Sequence, residues 1–93
     1  MVKYYKDEYK DGTCTQHTII DLDEYTLLTN DIGLRCIGAS VCYMDCDSVT
    51  VSKDGFTYST YTVDTPKRHR QVMAIYDGNT NRVLFKVYSE TLK

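Results

Sequence analysis

Residues Ser48–Val63 read SVTVSKDGFTYSTYTV, two runs rich in Val, Thr, Ser and Tyr that are separated by Lys53-Asp54-Gly55. Asp-Gly is the pair favoured where both central residues of a two-residue turn need positive φ, so the stretch predicts a β-hairpin closed by Asp54-Gly55. That turn sets Lys53 opposite Phe56, Val51 opposite Tyr58 and Val49 opposite Thr60. One face of the hairpin then carries Val49, Val51, Phe56 and Tyr58. The other carries Ser48, Thr50, Ser52, Thr57, Ser59 and Tyr61, a wet face belonging near a sheet edge.

Downstream the plan repeats. QVMAIYD, GNTN and RVLFKVYS predict a second hairpin with Asp77 opposite Arg82. An unbroken ladder from that pair puts Val72, Ala74, Tyr76, Val83, Phe85 and Val87 on one face. Met73, Ile75, Leu84, Lys86 and Tyr88 fall on the other, which is too apolar to be left wholly in water and calls for the helix or a partner.

Upstream, DLDEYTLLTNDIG (21–33) is the one convincing helix, predicted over about residues 22–31. Asp21 is its N-cap, Glu24 completes a capping-box spacing, and acids in the first turn suit the helix dipole. Leu22, Tyr25 and Leu28 make a narrow apolar stripe, and Gly33 offers a left-handed stop. LRCIGASVCYM (34–44) is apolar without alternation and reads as a strand buried on both faces, bent at Gly38. TCTQHTII (13–20) reads as a strand after an Asp11-Gly12 turn, and VKYYKDEYK (2–10) fits either a strand or a short helix. The expectation is one domain over residues 1–93, of α+β class. It is mostly an antiparallel sheet of five or six strands built from hairpins, with the helix on one face.

Composition supports a sheet. Nine Tyr, two Phe, no Trp and twelve Thr suit pleated, half-buried surfaces. Tyr also serves interfaces, because its ring gives rigid contact area while its hydroxyl tolerates water. The N-terminal MVKYYKDEYKDG has no apolar run, and no stretch approaches the ~20 apolar residues of a membrane span, so a cytoplasmic chain is expected (in a host's cytoplasm if it is viral), with no membrane contact.

Charge is segregated. Residues 1–64 hold five Lys or Arg against eleven Asp or Glu, while residues 65–93 hold six against two. The basic third opens with TPKRHR, Thr65–Arg70, read as a polar loop between the two hairpins and presented from a rigid sheet. Lys67, Arg68, His69 and Arg70 are the candidate docking residues for an acidic patch on a protein partner. Tyr58, Tyr61 and Tyr88 are the aromatic candidates, with Tyr58 the one most suited to the core.

Catalytic signatures are absent: there is no Gly-rich phosphate loop, no Gly-x-Ser-x-Gly and no His-Glu-x-x-His. A non-enzymatic protein without a cofactor is expected. In size and composition alone the chain resembles phage-encoded counter-defence and host-takeover proteins, the anti-CRISPR class among them. No motif carries that resemblance, which implies an inhibitor or adaptor that occludes a macromolecule. One alternative is a phosphate or nucleotide binder using the 65–70 segment; the overall charge of −2 disfavours a general nucleic-acid binder. A second is a small zinc domain with Cys14-x2-His17 and Cys42-x3-Cys46 as loose ligand pairs and Cys36 as a spare. A homodimer through an exposed hairpin edge stays open.

Overall fold

Two Asp-Gly pairs reverse the chain with both central residues at positive φ: Asp11 at 54° with Gly12 at 80°, and Asp54 at 53° with Gly55 at 85°. This backbone twist matches that of the strands it joins, so each pair closes a tight hairpin. The computed structural model describes all 93 residues, Met1–Lys93. In order they form β1 (Val2–Lys10), β2 (Thr13–Ile20), α1 (Leu22–Arg35), β3 (Ser40–Met44), β4 (Ser48–Lys53), β5 (Phe56–Asp64), β6 (Arg68–Asp77) and β7 (Val83–Leu92).

All strands belong to one antiparallel sheet of seven, ordered β2-β1-β7-β6-β5-β4-β3. The α+β class and the single helix agree with the sequence; the strand count exceeds the expected five or six. The ambiguous first segment is a strand because β2 and β7 flank β1 and take up its backbone hydrogen bonds on both sides.

Asp21 caps α1 as its spacing predicts, accepting the Glu24 N–H at 2.8 Å. The helix runs past Gly33 to Arg35, four residues beyond its expected end, and the positive φ falls at Gly38 (79°). Burial of Ile32, 4% exposed, anchors this last part on the sheet. The 34–44 strand is therefore corrected: Leu34 and Arg35 complete the helix, and Ser40–Met44 is an exposed edge strand, with no buried face. The helix is too short and too polar to cross a membrane.

The first hairpin pairs in the expected register throughout. The second does not. Tyr76 pairs with Val83, but Ile75 pairs with Phe85, leaving Leu84 as the extra residue of a bulge. One extra residue exchanges the faces of everything beyond it. Phe85 and Val87 join Met73 and Ile75 towards the helix, whereas Lys86 and Tyr88 join Val72, Ala74 and Tyr76 on the opposite side.

Segment 65–70 is corrected as well. Only Thr65–Lys67 lie outside the strands, in a tight turn held by Thr65 N–H to Arg68 O at 2.9 Å, and Arg68, His69 and Arg70 begin β6. β3 to β7 thus form one continuous meander.

Packed between helix and sheet are Ile20, Ile32, Tyr58, Ile75 and Val87, flanked by Tyr4, Tyr25, Leu28 and Phe85. Nothing covers the other face. The accessible surface is 6078 Å², against about 5,500 Å² for a folded chain of this mass, as an uncovered sheet face requires.

Candidate functional site

Strand alternation gathers the chemistry of the open face. β1 contributes Lys3, Tyr5, Asp7 and Tyr9; β2 contributes His17 and Ile19; β5 contributes Thr57, Ser59 and Tyr61. Arg68, Arg70 and Tyr76 come from β6, and Lys86, Tyr88 and Glu90 from β7. Four of the seven residues expected to bind a partner, Tyr61, Arg68, Arg70 and Tyr88, meet on this one surface. The other three do not: Lys67 is in the turn, His69 points to the helix side with its Nδ1 3.8 Å from Asp64, and Tyr58 is a core residue at 8% exposure.

At the centre lies a polar network. The Tyr88 hydroxyl donates to Asp7 Oδ2 at 3.1 Å, and Asp7 Oδ1 meets His17 Nδ1. Tyr5 stacks on the His17 ring at 5.1 Å between centroids and on Tyr88 at 5.3 Å. The Arg70 guanidinium lies over the Tyr88 ring at 5.3 Å, and its Nε donates to Glu90 at 2.7 Å. Arg68 approaches the same carboxylate at 3.5 Å. Lys86 stands over the Tyr9 ring at 5.7 Å.

These contacts bury polar groups beneath side chains alone: Asp7, Tyr88 and Glu90 are 7%, 6% and 9% exposed. Every buried polar side-chain atom has a partner, which keeps the cost of burial low. Burial and the neighbouring Asp7 carboxylate push the Tyr88 phenol well above its ordinary value. Burial also raises Tyr9 and Tyr76. All three therefore remain neutral hydroxyl donors at neutral pH.

A cavity of about 170 Å³ opens at the centre, walled by Tyr9, Tyr61, Arg70, Lys86 and Tyr88 with Asp7 at its side. It offers cations, hydroxyl donors and aromatic faces. Among the chain's hydrogen bonds, the Asp7–His17 pair has no Ser, Thr or Cys partner.

Elsewhere the chemistry is dispersed. Cys14 is on β2, Cys36 caps α1, Cys42 is on β3 and Cys46 follows it; all four are free, and no three His, Cys, Asp or Glu side chains converge as a metal site.

Lys86, Tyr5, Asp7, Tyr9 and Tyr76 escaped the sequence reading as site residues, and His17 entered it only as a loose zinc ligand with Cys14. The available signals were a lone cation inside the apolar run VLFKVYS and the Tyr5-Asp7-Tyr9 alternation, which fits a strand with one wet aromatic face.

No protein-family model matches the chain, and no curated protein or solved structure matches it either.

Proposed function

We propose that the chain is a small non-enzymatic binding protein, an inhibitor or adaptor, that docks the open face of its sheet on an acidic surface of a macromolecular partner. The observation behind this reading is a sheet face left without cover that concentrates Tyr5, Tyr9, Tyr61 and Tyr76 around Arg70 and Lys86. Tyr and Arg are the residue types that carry most binding energy at protein interfaces.

Charge complementarity selects the partner's chemistry. Lys3, Arg68, Arg70 and Lys86 outnumber Asp7 and Glu90 on this face, whereas α1 places Asp23, Glu24 and Asp31 on the other side with Arg35 as its single base. The area is adequate too. Seven strands spaced ~4.8 Å apart and ~25 Å long present on the order of 700 Å², close to the ~800 Å² per partner of a standard interface. Three of the four free cysteines are exposed, which suits a reducing compartment such as the cytoplasm.

The phosphate or nucleotide reading of the 65–70 segment has less support. Arg68 and Arg70 already share Glu90, and His69 and Lys93 share Asp64. The zinc reading lacks converging ligands.

The test is affinity purification of the tagged chain from cells, with bound species identified by native mass spectrometry. Acids placed at the two flanks of the open face, Ile19→Asp with Thr57→Asp, should abolish recovery of the partner. Leu27→Asp, on the outer side of α1 and 70% exposed in the native chain, should leave it unchanged. Equal recovery by both variants refutes the docking face, and recovery of a second copy of the chain alone replaces it with a homodimer.

A further inference from the structure

We infer that the cavity on the open face is a carboxylate subsite, in which one Asp or Glu side chain of the partner is held between Lys86 and Arg70. This rests on the docking face proposed above and names the group it recognises.

Lys86 carries the argument. It lies on β7, third of seven strands in the sheet order, and is half-buried. Its Nζ takes part in none of the chain's hydrogen bonds or ion pairs, whereas the Nζ of Lys6 and Lys93 and the guanidinium groups of Arg35, Arg68, Arg70 and Arg82 are paired with carboxylates. Its cross-strand neighbour is Asp7, the obvious counter-ion, but both Asp7 oxygens are engaged, one by His17 and the other by Tyr88. A partly desolvated cation without an anion is an unfavourable arrangement that a bound anion relieves.

Across the cavity, Arg70 uses only Nε on Glu90, which leaves its two terminal nitrogens available as donors. Tyr9 and Tyr61 line the same space. Two cations and two tyrosines therefore converge on a space whose one carboxylate, Asp7, is already bonded to His17 and Tyr88.

Size and charge specify the ligand. At about 170 Å³ the cavity is well below the ~300 Å³ at which small-molecule sites begin, so it takes one functional group and not a whole nucleotide. Among the residues lining the cavity, Arg70 and Lys86 against Asp7 leave one net positive charge. That balance matches a monoanionic carboxylate better than a phosphate monoester, whose charge at neutral pH is about −1.5 to −2.

The experiment is an amide-resolved nuclear magnetic resonance titration of the isotope-labelled chain at low salt, with hexaglutamate peptide in one series and inorganic phosphate in the other. Saturable shifts are expected at Tyr9, Tyr61, Arg70 and Lys86 with the peptide. Lys86→Met, which keeps the aliphatic stem and loses the charge, should weaken binding about tenfold or more, the loss of one charge-assisted hydrogen bond. Lys86→Arg should restore most of it, and unchanged amide spectra away from the cavity certify that both variants fold. Hexaglutamate binding that is absent, that maps elsewhere, that survives Lys86→Met or that is weaker than phosphate binding overturns the subsite. In the purification experiment, a partner lost with Ile19→Asp/Thr57→Asp but fully retained with Lys86→Met overturns the subsite and leaves the docking face standing.

Discussion

On the helix side of the sheet, Ile20, Ile75 and Val87 lie under Ile32 and Leu28 of α1. On the open side, Asp7, Tyr88 and Glu90 reach similar burial with no element above them. The first face is closed by apolar area from a separate element, at roughly 25 cal/mol per Å² removed from water. The second is closed by Tyr5 and Arg70, which lie across Tyr88, and by ion pairs that satisfy the buried carboxylates. The difference teaches that one sheet holds two kinds of cover, an apolar one from a separate element and a polar one from its own side chains. Removing the apolar cover affects the whole fold, whereas the polar cover can be opened locally, as the proposed docking requires.

The largest effect is expected from the single buried side chain of α1. Ile32→Ala should destabilise the chain by about 3 kcal/mol, as lost burial and a residual cavity add. Leu27→Ala, on the outer side of the same helix, should change stability by no more than about 0.5 kcal/mol. Urea denaturation monitored by circular dichroism measures both. Equal effects would mean that the helix does not close this face as described.

On the open face the corresponding change is smaller. Arg70→Ala leaves the buried Glu90 carboxylate with Arg68 alone at 3.5 Å and uncovers the Tyr88 ring. A fully buried pair would cost roughly 3 kcal/mol or more to break; Arg70 keeps a third of its side chain in solvent, so about 1.5 kcal/mol is expected after screening. Adding Glu90→Gln should recover part of that loss, because the uncompensated charge disappears. A double variant less stable than Arg70→Ala would show that the charge on Glu90 is not what the guanidinium compensates.

The two faces also differ in how far they could be read from the residues. Helix-side elements carry local signals: Asp54-Gly55 sets the register of β4 and β5, and Asp21 with Glu24 starts α1 where its capping pattern places it. The open face depends on pairings distant in the chain. Glu90 neutralises Arg70 from twenty residues away and Tyr88 meets Asp7 from eighty-one, so TPKRHR looked like a free basic loop. The bulge at Leu84 is a one-residue event with no Gly or Pro to announce it, and it alone decides that Lys86 and Tyr88 face away from the helix. The site was legible in its residue types, Tyr and Arg, and illegible in its geometry.

The smallest expected effect separates the two faces by pH. Tyr88→Phe removes the hydroxyl donated to Asp7 and should cost about 1 kcal/mol at neutral pH. Its alkaline signature is more specific. Below pH ~10, the ordinary phenol value, folded and unfolded chains both keep the proton and the contribution of the buried hydroxyl is intact. Above it the unfolded chain releases the proton while folded Tyr88 holds it, burial and Asp7 having raised its pKa. The unfolded state then binds fewer protons, so stability falls as pH rises. Tyr9 and Tyr76, raised mainly by burial, act in the same direction. Tyr88→Phe should therefore flatten the loss of stability above pH ~10, while Ile32→Ala lowers the whole curve without changing its slope. Denaturation midpoints across alkaline pH, paired with phenolate absorbance, make the measurement. A Tyr88→Phe chain that loses stability as steeply as the native one would place the buried phenol elsewhere and remove the chemical distinction between the two faces.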